Sequence, residues 1–454
     1  MKKKLSNNQL KFIIILGLAL GIRNLGMSLV APFISNYTLE LKYGTLALSG
    51  IALGGFSLTQ SFFQVPFGRF CDRFGNKRIV LFGLALLICG LGLSTFSQNA
   101  YIYILSRFLQ GTGAITAGVF AWIAKEIEDE KRADAMGLCS LIISFFIVVA
   151  LGGGPLLILI WNVQELYAIA TILVIVVFFL ILFFLKDDRN KNEIKLSKEE
   201  QAIKSKETSK YTISLLKNWK FVGFCFVGFI ALFVYMSTFI IIPEYATQLV
   251  GEVNLWMVYT PAMLIGIASM KISVVFVKRS YSKQVAIIAS LFFVFSGIIL
   301  IFASNSLVFL IIGSALAFAA YFILTNLIPT ATNHIVKPEY RGSLNGIVNA
   351  FTYIGGFFGS AITGFLWGIN TKYAIVVIIS LAILVTIIAF IAFPKLIMKN
   401  RNTLFLGIAF IALLSSCSPK NVVYWKNIQS EAKCLENGRY EAIIQKDDRL
   451  SILV

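Results

Sequence analysis

The residues of this chain that could do chemistry are a few charged and amide side chains set within long apolar runs. Arg23 and Arg107 fall inside such runs, and Asn24 follows Arg23 directly. Gln60 and Gln64 are four residues apart, so a helix places both on one face. An arginine inside an apolar helix must meet a partner, water or an anionic ligand, which makes it a candidate cavity or coupling residue. For Arg23, a buried structural ion pair is the alternative.

Carboxylates are scarce in the same apolar runs. Glu244 follows Pro243 near the end of one run, where it is either an acidic gate residue or a solvated loop residue. No run carries Asp or Glu near its middle, so the sequence shows no carboxylate relay. One histidine, His334, six cysteines without metal-ligand spacing and the lack of a G-x-x-x-x-G-K-[ST] loop give no pattern for metal or nucleotide chemistry. We therefore expect neither an enzyme nor a cofactor or metal site.

The composition is that of a membrane protein. Hydrophobic residues make up 58% of the 454 residues and charged residues 14%, against roughly 25% charged in soluble domains. Mean hydropathy is +0.82. A soluble fold could not bury this much apolar surface, whereas a lipid bilayer can surround it. The net charge of +18 comes from Lys and Arg in short loops between apolar runs, so we expect a bilayer and no nucleic acid as partner.

Twelve apolar stretches reach the roughly 20 residues that a helix needs to cross a bilayer. Because lipid offers no hydrogen bonds to the backbone, each stretch is predicted to be a helix. The expected fold class is an all-α membrane protein with twelve transmembrane helices. Numbered in chain order, their predicted ranges are 12–36, 44–68, 78–97, 101–124, 135–160, 166–185, 219–243, 255–277, 284–303, 307–330, 342–366 and 373–394.

A charged segment divides these helices into two sets of six. The regions expected are helices 1–6 in residues 1–185, a cytoplasmic linker at 186–218, helices 7–12 in 219–395, and a tail at 396–454. The halves resemble each other weakly, since Arg132 and Gly137 at the start of helix 5 recur as Arg341 and Gly346 at the start of helix 11. Two related halves are typical of carriers that rock about a central site.

The basic residues predict the orientation. With the N-terminus in the cytoplasm, the outer loops carry only Lys42 and Lys372, and nearly all other Lys and Arg residues lie in cytoplasmic segments. Cytoplasmic loops of membrane proteins carry an excess of Lys and Arg. We therefore expect a multi-pass protein of the bacterial inner (cytoplasmic) membrane with a cytoplasmic N-terminus.

A glycine-containing basic loop joins helices 2 and 3. Residues 68–78 read GRFCDRFGNKR, the pattern G-x-x-x-D-R-x-G-x-K-R. It resembles motif A of the major facilitator superfamily, in a likeness that covers about residues 10–395. The resemblance implies two six-helix bundles around a central cavity, and a loop that latches the halves in the outward-open state; an ordinary basic loop is the alternative. The residues that match the motif are Gly68, Asp72, Arg73, Gly75, Lys77 and Arg78.

Helix 4 carries a second motif. Residues 107–114 read RFLQGTGA, which resembles motif B of the same family, R-x-x-Q-G-x-G-A. The resemblance implies that Arg107 takes part in proton coupling, with Gln110 beside it. An arginine that extends to the outer membrane interface is the alternative. Gly111 and Gly113 would let neighbouring helices approach closely.

Helix 5 contains the sequence GGGP at residues 152–155. It resembles part of motif C, the signature of the antiporter branch, and this resemblance implies an exporter. The second glycine pair of that motif is missing, since residues 156–159 read LLIL. A kink that serves helix packing is the alternative, and Gly154 and Pro155 are the packing candidates.

The tail differs in character from the helices. Basic residues precede a short apolar run at 404–414, and the sequence LSSC ends at Cys417. The run is too short to cross a bilayer, and the pattern resembles a bacterial lipoprotein signal peptide with Cys417 as the acylation site. Residues 398–454 thus resemble the start of a polysaccharide export lipoprotein, as if a neighbouring reading frame had been joined. An ordinary C-terminal tail is the alternative.

Three functions remain open on the sequence. The first is proton-coupled export of small, drug-like molecules by alternating access, driven by a proton gradient without a cofactor. The second is transport of sugars, metabolites or an envelope precursor. In the third, the tail acts in polysaccharide export and the helices are an anchor, although twelve helices exceed what an anchor needs. We expect a monomer that binds a small-molecule substrate.

Overall fold

The computed structural model describes residues 5–186, 210–278, 281–337 and 340–393, and this part of the chain is built from helices. The chain divides into two units, Met1–Ile397 and Met398–Val454. The second unit, with Cys417, lies outside the described residues.

The crossing helices are α1 (Asn7–Ser28), α2 (Leu46–Phe74), α3 (Asn76–Thr95), α4 (Ala100–Thr112 and Thr116–Glu126), α5 (Asp129–Val148 and Gly154–Leu157), α6 (Val163–Phe184), α7 (Trp219–Val250), α8 (Trp256–Lys278), α9 (Ser282–Leu300), α10 (Leu307–Ile335), α11 (Arg341–Ile369) and α12 (Thr371–Ala392).

Ten of these elements in the described part of the chain are long and apolar enough to cross a membrane. The first of them extends α1 through two short helices to Glu40, giving a span of 34 residues. The remaining two crossings are α4 and α5, which are interrupted. Large apolar side chains such as Phe183 on α6 and Val376 on α12 are exposed, as expected of surfaces that face lipid. The predicted all-α membrane fold is therefore confirmed.

The interruptions correct the prediction of continuous helices at 101–124 and 135–160. Gly113 has φ −74° and ψ 56°, an inverse γ-turn, and α4 resumes only at Thr116. In α5, a π-helical turn spans Val149–Gly153 and is followed by Pro155. Proline has no N–H to donate, so the regular hydrogen-bond ladder cannot run through it.

Glycines set the helix spacing within the first six helices. A Cβ placed at Gly111 on α4 would lie 2.1 Å from the Phe56 carbonyl oxygen on α2, and one at Gly113 would lie 2.5 Å from the Gly83 carbonyl oxygen on α3. Both distances are too short for any side chain. Backbones therefore touch here, as is common where small residues face each other between membrane helices.

The two halves are held together at one end of the bundle, the end at which α2 begins (the Leu46 end). Here α2 packs along α11. A Cβ at Gly50 would lie 2.3 Å from the Ser360 carbonyl oxygen, and one at Gly364 would lie 2.5 Å from the Leu46 carbonyl oxygen. The α2 and α11 backbones are thus in direct contact at this end.

Two further contacts between the halves lie at the same end. Asn36, beyond α1, donates to the Thr247 hydroxyl on α7 at 3.1 Å. Thr260, at the start of α8, donates to the Gly152 carbonyl in the π-helical turn of α5 at 3.5 Å. At the other end, where α2 finishes (the Phe74 end), several side chains lie outside what the structure describes.

The glycine spacing gives a stability prediction. Gly111→Val should lower the unfolding midpoint of the purified protein, because the new side chain collides with the α2 backbone and overpacking costs about 1–3 kcal/mol. The matched control is Gly92→Val on α3, where an added Cβ has open space. Thermal unfolding in detergent measures both variants, and equal midpoints would contradict the packing.

Candidate functional site

The centre of the molecule holds a buried arginine from α1. The Arg23 side chain is 1% exposed. Its Nε donates to the Gly113 carbonyl at 3.0 Å, and its Nη2 donates to Gln60 Oε1 at 3.2 Å. Gly113 lies in the break of α4, so its carbonyl does not serve the regular helical ladder. The break in α4 therefore supplies an acceptor that holds the guanidinium.

A tyrosine from the second half completes this group. Tyr353 on α11 interacts electrostatically with Arg23, and its side chain lies near that of Gln60. Arg23, Gln60 and Tyr353 each lie near the middle of the helix that carries them, and at about 1.5 Å per residue this corresponds to the middle of the membrane. We call Arg23, Gln60, the Gly113 carbonyl and Tyr353 the Arg23 cluster. It joins both halves at mid-depth.

A cavity of about 90 Å³ lies beside Tyr353 in the second half. None of its lining residues is charged. Tyr321 stacks on Tyr235 with ring centroids 3.9 Å apart and planes inclined by 10°, and Phe318 packs on the edge of Tyr235. The lining residues come from α7, α10 and α11 and are Gly228, Ala231, Leu232, Tyr321, Thr325, Ile328, Pro329, Asn349, Thr352 and Tyr353.

A second buried arginine lies within the first half. Arg107 is 0% exposed, so it does not extend to the membrane interface. Its Nε donates to the Ala52 carbonyl at 3.2 Å and its Nη1 donates to Gln110 Oε1 at 2.6 Å. Gln110 in turn donates to the Ser94 hydroxyl at 2.8 Å. This chain, the Arg107 network, ties α2, α3 and α4 together.

The other cavity and coupling candidates are more scattered. Asn24 donates back to the Leu20 carbonyl of its own helix at 2.7 Å. The Gln64 Oε1 is buried and has no hydrogen-bond partner among the described residues. Glu244 is half-buried on α7 toward the Leu46 end. The structure thus brings Arg23 to Gln60 and Arg107 to Gln110, and leaves Asn24 and Glu244 apart from both pairs.

The loop that matches motif A has a defined backbone. Gly75 has φ 92° and ends α2, a conformation that glycine adopts most readily. Lys77 Nζ donates to the carbonyls of Leu182 and Leu185 at the end of α6, where a cation is favoured by the helix dipole. Arg73 and Arg78 are exposed. The surroundings of Gly68 and the side chain of Asp72 lie outside what the structure describes.

The remaining packing candidates lie where α5 meets α1. A Cβ at Gly154 would lie 2.5 Å from the Leu29 carbonyl oxygen, and Pro155 is buried. Both residues therefore contribute to a close contact between α5 and α1.

Sequence reasoning missed the contribution of α11. Asn345, Asn349 and Tyr353 recur every fourth residue in an otherwise apolar run, which places them on one helix face. That spacing is a signal for a polar stripe facing the interior. We did not infer it because no member of the stripe is charged.

The sequence of this chain matches a known protein family. A family model described as "Major Facilitator Superfamily" matches residues 16–360. The inner membrane transport protein YajR of Escherichia coli (strain K12) is 28% identical over 356 residues, which cover 78% of this chain and 76% of that protein. Multidrug resistance protein 2 of Bacillus subtilis (strain 168) is 25% identical over 392 residues, covering 82% and 92%.

The fold also matches solved structures. The crystal structure of a D-xylose–proton symporter superposes with a TM-score of 0.70 at 11% identity, and the match covers 85% of this chain and 98% of the symporter. That likeness shows the fold, two bundles of six helices. Since the family model spans most of the chain, this membrane protein belongs to the Major Facilitator Superfamily and is a secondary active transporter.

Proposed function

We propose that the chain exports small molecules across the bacterial inner membrane by alternating access, in exchange for protons. The observation that carries the proposal is the Arg23 cluster. It lies at mid-depth between two halves whose backbones are in contact at the Leu46 end. A site near the bilayer midplane, where two related halves meet, is where alternating-access carriers bind their cargo.

The direction is inferred from the basic loops. Lys and Arg are concentrated at the Phe74 end, in the loop at residues 68–78 and the segments that join α4 to α5 and α10 to α11. Cytoplasmic loops carry this excess, so the Phe74 end faces the cytoplasm and the N-terminus lies there too. With the Leu46 end closed, the cluster would open toward the cytoplasm, the side from which an exporter loads its cargo. The names of two relatives, multidrug resistance proteins 1 and 2 of Bacillus subtilis, support export.

Two charged residues, Arg107 and Glu244, are the candidates for proton coupling. Arg107 is buried among neutral hydrogen-bond acceptors, and Glu244 is the half-buried carboxylate on α7 near the closed end. Protonation of Glu244 would remove a charge where the halves meet. A change at Arg107 would be passed to α3 through the hydrogen bonds that join Arg107 to Gln110 and Gln110 to Ser94.

A carrier of sugars, metabolites or an envelope precursor is the second candidate. The cavity lining favours a polar cargo, since Tyr321, Thr325, Asn349 and Thr352 offer hydroxyl and amide groups without any charge. A sugar needs such groups. The fold of the D-xylose–proton symporter is compatible with this alternative.

Transport by the purified protein tests the first candidate. Proteoliposomes should move members of a panel of dyes and metabolites when a pH gradient is imposed, and a protonophore should stop the movement. Arg107→Ala should reduce the rate by about tenfold or more, equivalent to ~1.4 kcal/mol, while Lys372→Ala, at an exposed position in the first turn of α12, should transport like the native protein. An equal rate for Arg107→Ala and native protein would remove the coupling role of Arg107.

A reversible cross-link tests alternating access. Cysteines at positions 36 and 247, whose native side chains are 3.1 Å apart across the halves, should stop transport when oxidised and restore it when reduced. The control joins positions 35 and 49 within the first half, where the native hydroxyls are 3.4 Å apart. Transport that continues with the 36–247 bond formed would show that the halves do not separate at the Leu46 end.

Shortening the chain tests whether the tail supplies the function. A protein that ends at Ile397 retains the whole first unit, so it should insert in the membrane and transport at the native rate. Transport assays on the shortened and full-length proteins, matched for the amount inserted, measure this. Loss of transport by a correctly inserted short chain would favour a role for the tail.

A further inference from the structure

The junction between the halves has an unusual charge balance. Arg23 and Arg107 are 1% and 0% exposed. Among the described residues, neither guanidinium lies within 4.0 Å of a carboxylate oxygen. By contrast, Lys131 and Glu128 do form an ion pair there. Charged side chains inside a membrane normally pair with opposite charge. The interior described here therefore carries positive charge without a matching acid.

The hydrogen bonds of Arg23 do not neutralise it. Both of its acceptors, the Gly113 carbonyl and the Gln60 amide oxygen, are uncharged. The third nitrogen, Nη1, has no hydrogen-bond acceptor among the described residues. A guanidinium binds carboxylates and phosphates most strongly through a pair of parallel hydrogen bonds. Arg23 is thus held in place by neutral groups and retains a donor for an anion.

The surroundings of Arg23 fit a small anionic group joined to a planar body. Tyr353 interacts with Arg23 and also lines the cavity of about 90 Å³. Two aromatic rings, those of Tyr321 and Tyr353, line the cavity, and a flat ring could pack against them.

A cationic cargo fits this site poorly. The cavity lining contains no acid that could pair with a cation. Arg23 would repel them at short range in a medium of low dielectric constant. Arg107 adds to the same field from within the first half.

We propose that the cargo is an aromatic carboxylate whose anionic group binds Arg23 and whose ring packs against Tyr321 and Tyr353. The inference rests on the proposed role of the Arg23 cluster as the cargo site. It predicts discrimination by charge among molecules of the same shape, with carboxylates preferred over neutral and cationic analogues.

Three probes with one naphthalene body test the proposal. They are 2-naphthoate, 2-naphthamide and 2-naphthylmethylammonium, titrated into the purified full-length protein and followed by calorimetry. The native protein should bind the carboxylate at least about tenfold more tightly than either analogue, a difference of ~1.4 kcal/mol. Tighter binding of the amide or the ammonium, or no binding of any probe, would overturn the proposal.

Variants locate the anion site. Arg23→Gln should abolish the preference for naphthoate and leave binding of the amide unchanged, and Arg23→Lys should keep part of the preference because it keeps the charge. Lys271→Gln, an exposed cation on α8, is the matched control and should behave like the native protein. An Arg23→Gln protein that still prefers the carboxylate would overturn the assignment.

The native protein's ranking of the three probes decides the proposal even if Arg23→Gln fails to fold. Transport assays with the same probes separate this inference from the proposed function. Binding of naphthoate without transport would count against the carrier role alone. Transport of the ammonium in preference to the carboxylate would keep the carrier role and overturn the anion inference.

Discussion

The structure depends on a buried guanidinium held by a carbonyl that a broken helix makes available. Arg23 sits where a charge is costly, and the cost of burial is reduced only if its nitrogens find acceptors. The break at Gly113 provides one and Gln60 provides another. Irregular backbone is tolerated at membrane depth where it is buried in protein or lines a cavity. The interruption of α4 and the burial of Arg23 therefore support each other.

The same arrangement connects local packing to motion. Gln60, which holds Arg23, lies on α2, and α2 is the helix that contacts α11 through glycines at the Leu46 end. Tyr353, on α11, meets the cluster from the other half. A change in what Arg23 binds would thus act on the two helices that close this end. Small contact residues allow that interface to open without repacking large side chains.

Much of the fold could be predicted from the sequence. Apolar runs of sufficient length specify transmembrane helices because lipid permits little else. The breaks in α4 and α5 could not be predicted, because their stability comes from distant groups. The carbonyl of Gly113 accepts from the Ile115 backbone N–H and from a side chain 90 residues away in the sequence. Gly111 and Gly113 predict close helix packing, but they would do so equally well in a continuous helix, so they do not predict the break in α4.

The candidate site was predictable only in part. Arg23, Gln60 and Arg107 attract notice because charge and amide groups are rare in apolar runs. Which of them meet is a matter of three-dimensional packing: Asn24, next to Arg23, turns back to its own helix. Tyr353 escaped attention because it carries no charge. Lys77 was assigned to a latch by its motif, and its contacts with the end of α6 appear only in the folded chain.

Distances between spin labels at the two ends of the bundle test the central claim of alternating access most directly. One pair of labels at Tyr43 and Val253 reports the Leu46 end, and a second pair at Phe74 and Val275 reports the Phe74 end; all four positions are exposed. The account predicts that lowering the pH or adding cargo shifts the two distances in opposite directions. Distances that stay fixed under every condition, or lengthen together, would contradict it.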